Sequence, residues 1–213
     1  MSEHDPAKAT AREDMCRFLA ACYYEPTEDY REERLFDSLL AAAGQIHPGL
    51  AGHARQLAAE FAGQDLQTLL IDYTRLFLGP VQALAMPYGS RWQTGEAALM
   101  QESTVAVLDI YQEGGFEVGE DFHDLPDHVA VELEFLYLLI FNQNEAHRSG
   151  EQNVLSANQA LERRFLREHL GAWIDSFTEA VESGAETAFY RELAALTRQF
   201  VRMEAVTEKG QTT

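Results

Sequence analysis

Residues 73–92 read Tyr-Thr-Arg-Leu-Phe-Leu-Gly-Pro-Val-Gln-Ala-Leu-Ala-Met-Pro-Tyr-Gly-Ser-Arg-Trp, and the break in their middle sets the reading of the fold. Tyr73, Leu76 and Phe77 recur at i, i+3 and i+4, the spacing of one helix face. Gly79-Pro80 stops that helix, because proline has no N–H to donate and its ring clashes with the preceding turn. A loop of about fifteen residues follows, rich in proline and aromatic rings. Loops of that length inside a compact helical domain are uncommon and often functional.

Outward from this break, apolar residues keep helical spacing almost everywhere, and no alternating run of β-branched residues argues for a strand. Pro26, Gly44, Gly114-Gly115 and Ser149-Gly150 supply further stops. The pattern predicts an all-α, single compact bundle-like domain of about nine helices with one long functional loop. The helices fall near residues 9–24, 28–43, 49–62, 65–78, 95–113, 127–148, 156–169, 171–183 and 185–203, with Asp65 and Ser156 as N-caps. Residues 1–204 are expected to form the domain and 205–213 a disordered polar tail.

The chain has 213 residues and a formal net charge of −19, from 35 acidic against 16 basic residues, with 46% hydrophobic content to supply a core. Phosphate backbones are bound by clustered Lys and Arg, so this balance argues against nucleic acid and favours a cationic partner. Cys16 and Cys22, six apart within the first predicted helix, read as reduced core thiols. The start of the chain has neither a basic nor an apolar export signal. The longest apolar run, Phe135 to Phe141, is far below the roughly 20 residues that span a bilayer. A cytoplasmic protein without stable membrane insertion is expected.

A second segment, Glu-Asp-Phe-His-Asp-Leu-Pro-Asp-His at 120–128, precedes the longest predicted helix. With Asp124 before it and Pro126 near the first turn, Asp127, His128 and Glu132 stand where backbone N–H groups and the helix dipole favour carboxylates. At helical spacing His128, Glu132 and Phe135 fall on one side, and Asp127, Val131, Glu134 and Leu138 on the neighbouring one. In a plainer reading, Asp124 and Asp127 only cap the helix and Glu134 is solvated. A metal-dependent hydrolase using the cluster from His123 to Glu132 is a further alternative, but the spacing matches no H-E-x-x-H arrangement. No phosphate loop, dinucleotide fingerprint or nucleophile elbow occurs either. A helical scaffold whose loop binds another folded protein is the third possibility.

Pro80, Pro87, Tyr88 and Trp92 bring rings and rigid turns to the long loop, and exposed aromatic clusters with a polar rim mark peptide sites. A guanidinium stacks on such rings and pairs bidentately with carboxylates, so a cleft lined by both segments would select arginine over lysine.

At these residues the chain resembles the TorD, DmsD and NarJ family of chaperones, which mature molybdenum-containing redox enzymes. The family's aromatic-x-x-Leu-Phe-x-Gly-Pro element is Tyr73, Leu76, Phe77, Gly79 and Pro80; its Pro-Tyr-x-Ser-x-aromatic element is Pro87, Tyr88, Ser90 and Trp92. Its acidic element corresponds to Glu120, Asp124, Asp127 and His128, with Asp124 where Glu is usual and Pro126 displaced by one position. A Phe-Leu-x-x-His-Leu-x-x-Trp pattern fits as Phe165, Leu166, His169, Leu170 and Trp173. The resemblance implies a TorD-like all-helical fold, no catalytic turnover and no cofactor of its own. It implies recognition of the twin-arginine or remnant leader peptide of a molybdoenzyme catalytic subunit, and retention of the apo form until its cofactor is inserted. The expected peptide-binding residues are Tyr73, Leu76, Phe77, Gly79, Pro80, Pro87, Tyr88, Ser90, Trp92, Glu120, Asp124, Pro126, Asp127, His128 and Glu134. The resemblance allows a monomer or a domain-swapped dimer.

Overall fold

A computed structural model describes residues 5–79, 83–93, 102–117 and 125–207. Their order is α1 (Pro6–Cys22), α2 (Asp29–Glu32), α3 (Leu35–Ile46), α4 (Pro48–Gly63), α5 (Leu66–Tyr73), a π-helical turn (Thr74–Leu78), α6 (Gly89–Gln93), α7 (Glu102–Glu113), α8 (Val129–Ser149), α9 (Gln152–Glu168), α10 (Leu170–Gly184) and α11 (Ala188–Thr207). No strand occurs among the described residues; one isolated antiparallel bridge joins Tyr88 to His128. The architecture is all-α, as the spacing predicts.

The helix boundaries differ from the expected ones for local reasons. Arg34 takes a left-handed conformation (φ 54°) and separates α2 from α3 within the span expected as one helix. One turn of helix, α6, forms inside the long loop. Gly150 ends α8 in the left-handed region, and α9 restarts at once, so Ser156 lies within α9 and caps nothing. Asp65 caps α5 as expected, accepting the Thr68 N–H at 2.8 Å. The last helix runs to Thr207, so the position expected as the domain's end, Glu204, falls inside it.

The longest helix, α8, is apolar around much of its circumference, and such a helix belongs in the interior. It packs between α1 and α9. On the other side α10 and α11 pair, α11 lies on α4, and α3 fills the space between α4 and α1. Tyr23, Tyr73, Phe77, Phe177 and Tyr190 meet edge-on or tilted at centroid distances of 5.2–6.4 Å, tying α1, α5, α10 and α11 into one core.

Two charged clusters stand out in this packing. Arg12 of α1 bonds Glu204 of α11 at 2.5 Å and Glu162 of α9 at 2.9 Å, and Gln143 of α8 donates to Glu162 at 2.6 Å. Burial works against the Arg12 charge, but the two carboxylates outweigh it and hold the guanidinium well above its ordinary range. Asp72 of α5 accepts from the start of α11 and from Arg75. No described helix is long and apolar enough to cross a membrane.

Candidate functional site

The two motif segments meet. The Gly89 N–H donates to the Asp127 carbonyl at 2.8 Å and the Val129 N–H donates to the Pro87 carbonyl at 2.8 Å, which makes the bridge between Tyr88 and His128. The Asp127 side chain reinforces it. Its Oδ2 accepts the Ser90 N–H at 2.7 Å and the Thr104 hydroxyl at 3.3 Å, so one carboxylate oxygen holds the start of α6 and the start of α7 together. Its Oδ1 is buried and has no hydrogen-bond partner, an arrangement that ordinarily costs about 1–3 kcal/mol and more for a charged group.

His128 is the N-cap of α8. Its Nδ1 accepts the Ala130 N–H at 3.1 Å, which places any ring proton of the neutral imidazole on Nε2. The ring is stacked on Tyr24 at 6.0 Å with planes 8° apart, and Tyr88 meets it edge-on at 5.4 Å. Tyr24, at the end of α1, donates its hydroxyl to Glu134 Oε1 at 3.0 Å. Burial pushes the half-buried Glu134 carboxyl upward, opposed by the Tyr24 hydrogen bond.

Beneath the bridge, the Trp173 indole N–H of α10 donates to Glu132 Oε2 at 3.1 Å. Gly89 fits directly above: a Cβ there would come within 2.9 Å of Trp173 Nε1 and 3.2 Å of Glu132 Oε1. That is why the tight turn after Tyr88 uses the residue without a side chain. Trp92 folds back over its own loop, donating its indole N–H to the Met86 carbonyl at 2.7 Å and meeting Phe177 edge-on at 6.3 Å. Tyr111 of α7 donates its hydroxyl to the Pro126 carbonyl at 2.8 Å.

The expected site residues therefore divide by depth. Tyr73, Leu76 and Phe77 are core, and Pro87, Ser90, Asp127 and His128 are buried under the bridge. Tyr88, Trp92, Pro126 and Glu134 are half-buried and form its rim, with Gly79 partly exposed at the end of the π turn. Pro80, Glu120, Asp124 and the His123 of the alternative metal cluster lie outside the described residues. Among the described residues no group of three or more His, Cys, Asp and Glu is assembled to hold a metal ion.

Sequence reasoning placed Glu132 beside His128 at the helix start, as a carboxylate favoured there and as the end of the alternative metal cluster, gave it no part in peptide binding, and overlooked Tyr24, Gly89, Thr104 and Trp173 as parts of this assembly. The only signals were the glycine inside Pro-Tyr-Gly-Ser-Arg-Trp and the tryptophan closing the C-terminal pattern. The π turn was also unsignalled. Its opened end is completed across the loop, with the Leu84 N–H donating to Arg75 O at 3.3 Å and the Ala85 N–H to Leu76 O at 2.7 Å. Such turns often occur at functional sites. The aliphatic surface beside it is open, with Ile71, Leu78 and Leu84 each about half exposed.

Chemically, the assembly offers a buried carboxylate oxygen without a hydrogen-bond partner, beside the bridge that carries the half-buried Tyr88. That combination suits a cationic, partly apolar chain segment.

A family model described as nitrate reductase delta subunit matches residues 38–179. The chaperone protein TorD of Vibrio parahaemolyticus is 28% identical over 138 residues, covering 64% of this chain and 62% of that one, so the chain spans less than two thirds of that relative's length. The Tat proofreading chaperone DmsD of Salmonella typhimurium is 27% identical over 183 residues, 85% of this chain and 83% of its own. Among solved structures, a crystal structure described as that of a redox enzyme maturation protein from Archaeoglobus fulgidus superposes with a TM-score of 0.54 at 21% identity, covering 89% of this chain and 93% of the other. At that identity the likeness bears on fold alone.

Proposed function

The chain belongs to the nitrate reductase delta subunit family, and from that premise we propose that it is a maturation chaperone for a molybdenum-containing oxidoreductase. It acts by binding, without turnover, like the relatives that carry chaperone names. In this reading it engages the N-terminal leader of the catalytic subunit and holds the apoenzyme, in the cytoplasm, until its cofactor is in place. The unbonded, buried Cys16 and Cys22 accord with a reducing compartment.

The observation that carries the reading is Asp127. Its Oδ2 is committed to α6 and α7 while Oδ1 is buried and unanswered. A guanidinium arriving past the half-buried Pro126 and Tyr88 supplies the missing donor and stacks on the rim. The exposed Leu78 and Leu84 give the apolar part of a leader somewhere to lie. Glu120, Asp124 and Pro80 belong to the same proposed surface on sequence grounds.

The test is titration of the protein with a fluorescent leader peptide carrying adjacent arginines, against the same peptide with lysines. Asp127→Asn keeps an oxygen for the Ser90 N–H and removes the charge, so it should stay folded by circular dichroism. It is expected to weaken the arginine peptide about tenfold or more, since hydrogen bonds to charged groups contribute about 1.5–3 kcal/mol. Unchanged affinity in folded Asp127→Asn would remove Asp127 from the role and the reading with it.

A further inference from the structure

Glu132 is not used by the peptide reading, yet it is almost completely withdrawn from water, 1% exposed in the first turn of α8. Oε2 accepts one neutral donor, the Trp173 indole, and Oε1 stands 3.2 Å from where a Cβ on Gly89 would be. No lysine or arginine is bonded to it among the described residues. A carboxylate so placed would be left with one neutral hydrogen bond to offset the loss of its hydration, so the neutral acid is the form this geometry accommodates. Burial pushes Glu132 well above the usual carboxylate range, the Trp173 bond pulls back, and the charge of Asp127 pushes it further up.

Among the described residues, the groups that meet it carry no positive charge. The turn before α8 brings Asp127, and α8 itself brings Glu134, whose partner is Tyr24 just beyond α1; α7 brings Tyr111; α10 brings Trp173; α6 brings Gly89 and Ser90. From α9 the approach is Phe165 against Phe135, and His128 holds its Nδ1 as an acceptor. Asp127 and Glu132 grip the same short turn, one through the Gly89 and Ser90 N–H groups and the other under Gly89.

We propose that Glu132 is the proton reserve of the site: when a cation engages Asp127, Glu132 gives up its proton to solvent, so that binding a cationic peptide is coupled to proton release. This rests on the peptide reading above. The step breaks the Glu132 O–H bond and leaves a carboxylate; the proton goes to buffer and no electrons move. Its cause is electrostatic. The arriving charge cancels the repulsion from Asp127 and adds an attraction, so the bound state favours the ionised acid. Affinity therefore rises with pH, reaching up to about tenfold per pH unit where one proton is released.

Isothermal titration calorimetry on the full chain decides it, using a synthetic peptide with two adjacent arginines in phosphate and in Tris at one pH. The observed heat is expected to differ between the buffers by a fraction of a proton up to one proton per peptide. In Glu132→Gln, the neutral isostere that keeps the Trp173 acceptor, binding should persist and the buffer dependence vanish. Wild-type binding with buffer-independent heat overturns this inference and leaves the peptide reading standing. Proton release that survives in Glu132→Gln also overturns it. Failure of the wild type to bind the peptide in either buffer defeats both.

Discussion

The carboxylate of Asp72 accepts the backbone N–H of Thr187 at 2.7 Å, so a side chain on α5 anchors the residue that leads into α11. The Thr187 hydroxyl and the Glu186 N–H converge on the same group at 2.8 and 3.1 Å, and Arg75 neutralises it at 2.9 Å while also reaching Glu186. A helix start inside a protein must find acceptors for its first N–H groups; here the Thr187 hydroxyl accepts the Tyr190 N–H at 3.4 Å, and Asp72 of the neighbouring element holds that threonine in place. Asp72→Ala is expected to cost about 2–3 kcal/mol, the scale of lost bonds to a charged group. Urea unfolding followed by far-ultraviolet circular dichroism reads the loss directly.

Arg12 is one cation between two buried carboxylates. Replacing it with alanine leaves Glu162 and Glu204 facing each other uncompensated, and removing one partner from a buried ion pair costs about 3–5 kcal/mol. Glu204→Gln should cost less, because Glu162 remains to pair the guanidinium. Comparing the two denaturation midpoints checks the order; equal losses would show that the cluster does not act through charge.

Stability should also depend on pH through Glu132. Its folded value lies above the ordinary 4.5, so the folded chain keeps a proton that the unfolded chain releases. The group's contribution is fully present below about pH 4.5 and is lost as pH rises toward the folded value, at up to about 1.4 kcal/mol per pH unit. Glu132→Gln does not titrate. Its stability relative to wild type should therefore rise between pH 5 and pH 8, which thermal melts at matched pH values can follow.

Gly89→Ala should strain the turn above Trp173. The added carbon meets the indole nitrogen and the Glu132 carboxyl at distances that force one of them aside, and overpacking of this kind costs about 1–3 kcal/mol. Loss of the indole's hydrogen bond should shift the tryptophan emission, whereas an unshifted spectrum with full stability would mean the turn relaxes freely.

Helix spacing carried most of the architecture, because α3, α9, α10 and α11 each keep an apolar face that repeats with the turn. Asp65 was readable as a cap because its acceptor and donor lie three residues apart. The left-handed Arg34 was not readable, since that conformation is ordinarily signalled by glycine or asparagine. The neighbourhood of Asp127 with Tyr88 and Ser90 follows the two motif segments, but the burial of Asp127 and Glu132 does not. Acidic residues at a helix start are normally solvated, and what covers these comes from Trp173 and Thr104, partners that only the folded chain brings near.

The pairing of Tyr88 with His128 fastens the chain to itself, so the stretch between them is a noose closed at that bridge. Closing such a noose depends only weakly on its circumference, about 0.6 kcal/mol for each doubling of length. Additions or deletions in that stretch, away from α6, α7 and the residues they hold, should leave the neck and its carboxylates in register. A chain built this way can vary within the noose while the anchor beneath it stays as it is.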